Sequence, residues 1–392
     1  MAVRPPSLLV LQAASGLVGF SAYLAAMVAN AVWSAHGWPL TRIGLAVAAT
    51  NLCYGAVVGI AGALVERIGR ARSCIVGASI GAVGCAIAAA TPTTGTALVA
   101  AMASFLAMAL YFPGVAGLYS DGTSRPMPLH AKVSFYSLGW GLGVLVGFVS
   151  YGALARTPPI GFAIAALGFV AMGALLWRWR RASAAPPAAD GDRASHPTLG
   201  RLTMLYRCSV LLTAMVAATT SALAQRILTP LSTDAPALCA TLLAAHSVGS
   251  LTMFALMGRW DGWILRPGRA WWLQAPIALG GALLLVVAHA QAAPPVALIA
   301  VGLLTGLGHG ATYMASIYCS MRLPDGAARG AGVHEAFLGV GYVVGPPAAA
   351  LLISAAIGDA AAGWPALAGL GWWIVGLAAV VLALPVLAVR RR

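Results

Sequence analysis

The chain contains very little charge. Only 8% of its 392 residues are Asp, Glu, Lys or Arg, whereas soluble globular domains carry about 25%. Hydrophobic residues make up 60%, and the mean hydropathy is +0.88. Such a chain cannot cover a water-facing surface, so the composition excludes an ordinary soluble protein and predicts that lipid surrounds most of it.

Acidic residues are especially scarce. There are nine of them against 23 basic residues, which leaves a net charge of +14. No basic run alternates with aromatic residues in the manner of a nucleic-acid-binding surface, so we expect no nucleic-acid partner. In a membrane protein, a basic excess usually marks the cytoplasmic side instead.

Several motifs with known chemistry are absent. The six cysteines have no CxxC spacing and lie in or beside apolar runs, which is typical of small buried hydrophobic residues rather than metal ligands. The sequence has no GxxxxGK[ST] motif for ATP and no HExxH motif for zinc, so we expect no enzyme activity, no metal site and no cofactor. The first apolar run, 8–33, is longer than the hydrophobic region of a signal peptide, about 7–15 residues.

Apolar runs fill the rest of the chain. A membrane span needs about 20 such residues, and twelve runs reach that scale. They are 8–33, 43–65, 73–91, 97–119, 133–155, 159–179, 206–229, 236–258, 270–290, 295–320, 330–356 and 364–389. The predicted class is therefore an all-α membrane protein with twelve transmembrane helices. We divide it into a six-helix bundle over 1–180, a polar Ala- and Pro-rich linker over 181–205 and a second bundle over 206–392.

The basic residues are distributed unequally between the two sides. With a cytoplasmic N-terminus, twenty of the 23 fall on cytoplasmic segments, and only Arg42, Arg156 and Arg226 fall on the other side. This asymmetry predicts that both termini are cytoplasmic. We expect a monomeric multi-pass protein of the cytoplasmic (inner) membrane of a bacterium, with the lipid bilayer as its surroundings.

The two bundles resemble each other in sequence. "FYSLGWGLGVLVG" (135–147) in the fifth span parallels "EAFLGVGYVVG" (335–345) in the eleventh. Glycines at four-residue spacing in both segments favour close helix packing. Duplication of six spans is typical of transporters with a binding site near mid-membrane between the halves.

A charged loop joins the second and third spans. Its sequence "GALVERIGRARS" (62–73) places Gly62, Glu66, Arg67, Gly69 and Arg70 in a short turn. The loop resembles the signature of the major facilitator superfamily, G-x-L-[AS]-D-[RK]-x-G-R-[RK], with Glu in place of the usual Asp.

A degenerate second copy, "GRWDGWILRPGR" (258–269), lies at the corresponding place in the other half and contributes Asp261 and Arg266. These charged residues form either a cytoplasmic latch that closes one state of the transporter or, alternatively, simple anchors of topology. The resemblance extends over essentially the whole chain and implies two pseudo-symmetric six-helix bundles that move a small-molecule substrate by alternating access.

Ionisable and polar residues inside spans are candidates for function because burying them in lipid is costly. The resemblance implies that spans one, four, seven and ten line the cavity. His246 in the eighth span is a further candidate, as are the polar or aromatic residues Asn51, Tyr54, Tyr136 and Trp140. The cavity candidates on the four lining spans are Tyr23, Asn30, Tyr111, Gln225, Arg226, His309 and Tyr313.

His334 and Glu335 open the eleventh span. Glu335 follows Arg329 by six residues, so it lies about 9 Å into the helix. At that depth it either binds and releases a proton or acts as a gate residue that pairs with a cytoplasmic arginine. The Gly-Pro-Pro at 345–347 predicts a break in the helix and a hinge.

Three functions are compatible with these features. The first is a secondary active transporter of a small organic solute, in either direction and with or without proton coupling. The second is an importer of copper or of a metal chelate, because Met253, Met257, Met314, Cys319 and Met321 are soft ligands. The third belongs to another class, a membrane sensor or assembly protein that does not transport.

Overall fold

A computed structural model of the protein describes residues 6–121, 127–180, 197–264, 266, 272–292, 294–323, 327–358 and 363–389. Within these ranges the regular structure is helical, with twelve α-helices and a 3₁₀ turn at Trp177–Trp179. The predicted all-α class is confirmed. The helices are α1 Leu8–Ala35, α2 Leu40–Ile68, α3 Arg70–Ala90, α4 Thr94–Asp121, α5 Leu129–Leu154, α6 Pro158–Leu176, α7 Pro197–Leu228, α8 Ala235–Arg259, α9 Pro276–His289, α10 Pro295–Met321, α11 Ala327–Ile357 and α12 Trp364–Val389.

Most of the helices suit a membrane. In the described ranges, eleven are long and apolar enough to cross one. The remaining helix, α9, is apolar but has only 14 residues; the predicted ninth span starts at 270, and residues 267–271 lie outside the description. Large apolar side chains face outward, such as Leu9 at 76% exposure and Leu167 at 67%. Since lipid solvates such side chains without cost, the protein is a multi-pass integral membrane protein.

The helices form two halves with the same internal packing. In the first half, α1 packs against α4, α5 and α6, while α3 packs against α4 and α6. In the second half, α7 packs against α10, α11 and α12, while α9 packs against α10 and α12. The halves meet mainly along α2 with α11 and α5 with α8. This arrangement agrees with the internal duplication read from the sequence.

The boundary between the halves differs in detail from the predicted linker of 181–205. Residues 181–196 lie outside the described ranges, and α7 already begins at Pro197. Residues 197–205, the last nine assigned to the linker, are therefore helical. They extend the predicted seventh span at its N-terminal end.

Glycines bring the equivalent helices of each half into close contact. A Cβ added at Gly143 on α5 would lie 2.7 Å from the carbonyl carbon of Gly16 on α1. In the second half, a Cβ at Gly345 on α11 would lie 2.7 Å from the Cα of Met215 on α7. Both distances are shorter than van der Waals contact, so only glycine permits these approaches.

The predicted break at the two prolines of α11 is wrong. The helix continues from Ala327 to Ile357 through Pro346 and Pro347. Prolines are tolerated inside transmembrane helices because neighbouring helices and local adjustments satisfy the freed backbone groups. Here α2 packs directly against the bend-prone segment, since a Cβ at Gly44 would lie 3.0 Å from the Pro346 carbonyl oxygen.

The ends of the helices define two faces of the bundle. The terminal face is the one at which α1 begins, α2 joins α3 and α10 ends. The opposite face is the one at which α1 ends at Ala35 and α8 begins at Ala235. The sequence predicts that the terminal face is cytoplasmic.

Candidate functional site

A cavity lies between the two halves. Residues of α1, α2, α4 and α5 line one side, and residues of α7, α8, α10 and α11 line the other. Several contributors, including Asn30 and Trp33, come from the part of their helix nearest the opposite face.

The cavity wall combines aromatic rings with uncharged polar groups. No Asp, Glu, Lys or Arg is among the described residues that line it. The aromatic members are Tyr23, Trp33, Phe105, Trp140, Phe148, Phe254 and Tyr342. The polar members are Asn30, Thr50, Asn51, Ser221, His246, Ser247, Ser250 and His309.

Four of the predicted cavity candidates line the cavity, namely Tyr23, Asn30, His246 and His309. Asn51 and Trp140, which the sequence offered as further polar or aromatic candidates, also line it. They come from both halves, as expected for a site between two bundles.

The other candidates lie elsewhere. Tyr111 is buried inside the first half, where its hydroxyl lies 2.9 Å from that of Ser15. Gln225 and Arg226 are at the end of α7 nearest the opposite face and are not among the lining residues. Tyr313 is buried behind Trp140, with ring centroids 5.4 Å apart.

The two cavity histidines form a pair. The rings of His246 on α8 and His309 on α10 are 5.5 Å apart. The Nδ1 atom of His246 lies 3.1 Å from the hydroxyl of Thr305, and Nδ1 of His309 lies 3.2 Å from the hydroxyl of Thr213. Gly306 permits this proximity, because a Cβ there would lie 2.7 Å from the carbonyl carbon of His246.

The two threonine hydroxyls that contact the histidines also lie close to backbone carbonyls. Thr305 donates its hydroxyl proton to the carbonyl of Val301 at 2.9 Å, and Thr213 donates to Val210 at 3.3 Å. In the tautomer in which each hydroxyl donates to that carbonyl and accepts from histidine, Nδ1 carries the proton on both rings. In the neutral imidazole, Nε2 is then an acceptor.

The soft ligands named for copper lie on two helices, α8 and α10. Met253 and Met257 are buried on α8. Within the described part of the chain, no three His, Cys, Asp or Glu side chains come together as potential metal ligands. The histidine pair is thus without a third ligand of these types.

A layer of aromatic side chains separates the cavity from a buried carboxylate. We call Phe112, Trp140, Phe254 and Tyr313 the aromatic layer. The centroid of the Trp140 ring lies 6.1 Å from that of Phe112 and 6.0 Å from that of Phe254, and Phe254 is 5.6 Å from Tyr313. Trp140 and Phe254 line the cavity, while Tyr313 faces Glu335 on the other side.

Glu335 is 2% exposed and lies between the halves. Tyr54, on α2 of the first half, donates its hydroxyl to Oε2 at 2.5 Å. Tyr313, on α10 of the second half, donates to Oε1 at 2.9 Å. Among the described side chains, no Lys or Arg forms an ion pair with Glu335. In this state two tyrosine hydroxyls, rather than the cytoplasmic arginine of the gate alternative, hold the carboxylate.

His334 lies next to this carboxylate but makes different contacts. It is fully buried, and its Nδ1 atom is 2.8 Å from the Ser316 hydroxyl. Its ring packs edge-on against Tyr313 with centroids 4.8 Å apart. His334 and Glu335, adjacent in the sequence, therefore both contact Tyr313, one through its ring and the other through its hydroxyl.

The halves also touch at both ends of the cavity. Near the terminal face, Ser134 donates to the carbonyl of Phe254 at 2.7 Å. Near the opposite face, Asn30 donates to the carbonyl of Ser221 at 3.3 Å, and the exposed pair Arg156 and Asp234 is 3.4 Å apart.

The charged loop of the first half forms a tight turn. Gly69 has φ +95°, a conformation that favours glycine. Arg70 begins α3 and donates to the carbonyl of Gly117 on α4 at 3.0 Å, while Gly62 is buried and Arg67 exposed. The side chain of Glu66 lies outside the described part, so the predicted latch contact does too.

The second copy of the loop is more open. Asp261 and Arg266 are exposed, and the turn between them is supported by a backbone bond from Ile264 to the Asp261 carbonyl at 2.9 Å. The described contacts assign neither residue an ion-pair partner. The latch role of this copy stays a prediction.

Sequence reasoning missed several lining residues. Thr50, Ser221, Ser247 and Ser250 contribute hydroxyls, and Tyr342 contributes a ring on α11. Small hydroxyl residues are frequent in apolar helices, where they usually bond to their own backbone, so their identity alone carries no signal. Only the rotation of each helix shows which of them reach the cavity.

The fold of this protein is similar to that of several solved transporter structures. A fold search finds the human organic anion transporter MFSD10 (TETRAN), with TM-score 0.66 and 14% identity over 96% of this chain and 97% of that one. It also finds a bacterial homologue of the human lysosomal transporter Spinster, in an inward-facing and unoccupied conformation, with TM-score 0.65 and 14% identity over 98% and 96%. A variant of the nucleoside transporter NupG gives TM-score 0.68 and 12% identity over 96% and 99%. At these identities the likeness shows the fold alone.

A search of curated proteins by sequence found no match. The family model described as Major Facilitator Superfamily, however, matches residues 9–334, which is most of the chain. Its members are transporters rather than enzymes. Together with the twelve helices in two equivalent halves and the cavity between them, this match shows that the chain belongs to the major facilitator superfamily.

Proposed function

We propose that the protein is a secondary active transporter that moves a small organic solute by alternating access and couples this movement to a proton at Glu335. The observation that carries the proposal is the position of this carboxyl group. It is buried between the two halves and is held by one tyrosine from each of them.

The chemistry of the site suits a proton. An ionised carboxylate away from water is costly unless hydrogen bonds or a cation compensate for it. Tyr54 and Tyr313 supply two hydrogen bonds, and a bound proton removes the remaining cost. Because a tyrosine hydroxyl is both donor and acceptor, the same two residues satisfy the carboxyl group whether it carries a proton or not.

Ring contacts through the aromatic layer link the proton site to the cavity. His309 lines the cavity, and its ring centroid lies 6.5 Å from that of Tyr313. Tyr313 in turn donates to Glu335. A solute that displaces His309 or Trp140 therefore disturbs the tyrosine that holds the carboxyl group, which gives substrate and proton a physical means of influencing each other.

The direction of the effect follows from solvation. With the terminal face closed, Glu335 is out of water, so a bound proton stabilises this state. Loss of the proton leaves a charge that water solvates better than two hydroxyls do, which favours opening at the terminal face. Acidic pH thus favours the closed terminal face, and alkaline pH favours the open one.

The test needs no substrate. Spin labels replace the exposed residues Trp177 and Met204, one in each half at the terminal face, after the native cysteines are removed. Distances are measured by pulsed electron paramagnetic resonance in nanodiscs at one acidic and one alkaline value, about pH 5 and about pH 9.

We expect the distance to lengthen at alkaline pH in the otherwise native protein. Glu335→Gln imitates the protonated carboxyl group, so this variant stays at the short distance at both pH values. His289→Gln is the matched control, because His289 is exposed and bonds only within its own helix, to Leu285 at 2.8 Å. An unchanged pH response in Glu335→Gln, or none in the native protein, contradicts the proposal.

The site also bears on the alternatives. Copper import would need soft ligands at the cavity, but the methionines and the cysteine named for it are not among the described residues that line it. The charge asymmetry further supports a bacterial inner-membrane location with both termini in the cytoplasm.

A further inference from the structure

We infer that the cavity binds an uncharged, planar solute that carries at least two N–H or O–H donors. The inference rests on the proposed transport function for the role of the cavity, and it specifies the chemical class of the solute. It follows from polar atoms on the wall that have no partner.

Two asparagines leave acceptors unpaired. The side-chain amide of Asn30 donates to Ser221, and that of Asn51 donates to Val47 at 2.9 Å. Both carbonyl oxygens are buried and have no partner among the described residues, although the side chains are only 5% and 3% exposed. An unpaired buried acceptor is costly, so a ligand that donates to it gains affinity.

The histidine pair adds two further acceptors. In the tautomer in which Nδ1 of His246 and of His309 donates to its threonine hydroxyl, each neutral ring keeps Nε2 as an acceptor. Both rings belong to the cavity wall. The site thus offers up to four acceptors to a ligand.

One donor is unpaired as well. The indole N–H of Trp140 is buried without a partner, and the side chain is 8% exposed. It suits a single carbonyl or ring nitrogen on the ligand. The ligand that complements this wall therefore carries more hydrogen-bond donors than acceptors.

The remaining wall determines charge and shape. A ligand carboxylate would face acceptors without a cation, and an ammonium would be buried without a carboxylate, since the described lining has neither. Rings such as Tyr23, Phe105 and Phe148 favour a planar body that stacks on them. An uncharged aromatic solute with amino, amide or hydroxyl groups meets these conditions together.

Four probes on one skeleton test this inference in the purified full-length protein. They are para-aminobenzamide, which is neutral with two donor groups, its fully N-methylated analogue without donors, the anion para-aminobenzoate and the cation para-aminobenzamidine. Dissociation constants come from ligand-observed NMR titration, which detects weak binding. We expect para-aminobenzamide to bind about tenfold more tightly than each of the others, as sites built for a hydrogen bond reject analogues without it.

Variants assign the effect to the wall. Asn30→Leu and Asn51→Leu keep the approximate side-chain size and should each weaken para-aminobenzamide about tenfold, without weakening the methylated analogue. Gln274→Met is the control, because Gln274 also has a buried carbonyl oxygen without a partner but does not line the cavity. Gln274→Met should bind para-aminobenzamide as tightly as the native protein does.

The inference is overturned if a charged or methylated probe binds as tightly as para-aminobenzamide, or if none of the four binds. The ranking of the four probes uses the native protein, so it tests the inference even if an asparagine variant fails to fold. Binding is measured without a gradient. Failure of proton coupling therefore appears in the spin-label experiment alone, and a wrong solute class appears in the probe ranking alone.

Discussion

Gly306 is the position at which a single methyl group should disturb both the fold and the site. It lies on α10, where the helix touches the backbone of α8 at His246. A Cβ at this position would lie 2.7 Å from the His246 carbonyl carbon and 2.9 Å from its Cα. Ordinary contacts between carbon atoms are about 3.5–4.0 Å, so Gly306→Ala forces the two helices apart.

The expected cost can be isolated with a matched control. Overpacking a well-packed interior costs about 1–3 kcal/mol. Alanine also gains up to about 1 kcal/mol over glycine in helix propensity, and Gly376→Ala on α12 isolates that gain, because a Cβ there would meet nothing within 4 Å. The propensity gain cancels between the two variants, so Gly306→Ala should be less stable than Gly376→Ala by about 1–3 kcal/mol.

Thermal unfolding in detergent measures this difference, followed by intrinsic tryptophan fluorescence at one heating rate, since unfolding of membrane proteins is often irreversible. We expect a midpoint several degrees lower for Gly306→Ala than for Gly376→Ala. The displaced His246 and His309 should also weaken binding of any cavity ligand. Equal midpoints, or a higher one for Gly306→Ala, would refute the close packing of α8 and α10 described above.

Two further predictions concern the buried carboxylate and the orientation in the membrane. Tyr54→Phe removes a hydrogen bond to Glu335, and a hydrogen bond between neutral groups contributes about 0.5–1.5 kcal/mol. Its unfolding midpoint should fall below that of Tyr151→Phe, whose buried hydroxyl has no partner among the described residues. Equal midpoints would mean that the Tyr54 bond contributes nothing. For the orientation, a fluorescent protein fused after Arg392 should fluoresce in bacterial cells, whereas an alkaline phosphatase fusion at the same place should be inactive; active phosphatase would reverse the predicted topology.

The fold was largely readable from the chain because lipid imposes a simple rule. Every backbone group in the bilayer must be satisfied within a helix, so each span appears as an apolar run of about 20 residues. The rule fails where a local signal competes with packing. Gly345, Pro346 and Pro347 predict a break, yet α11 continues through them because α2 supports the segment.

The candidate site was readable only in part. His246, His309 and Glu335 are conspicuous since ionisable groups in lipid are costly, and all three lie at the cavity or beside it. The tyrosines carry no such signal. Tyr111 bonds to Ser15 inside one half, whereas Tyr54, also a tyrosine in an apolar helix, reaches across to Glu335.

The sequence by itself determined the number of spans, the duplicated halves and the placement of most positive charge on one side, because these depend on composition and order along the chain. Only the tertiary structure decided which side chains meet. Helix rotation and register bring Tyr54 and Tyr313 to one carboxyl group and leave the oxygens of Asn30 and Asn51 without partners. Such contacts join residues far apart in the chain, and no local pattern in an apolar helix encodes them.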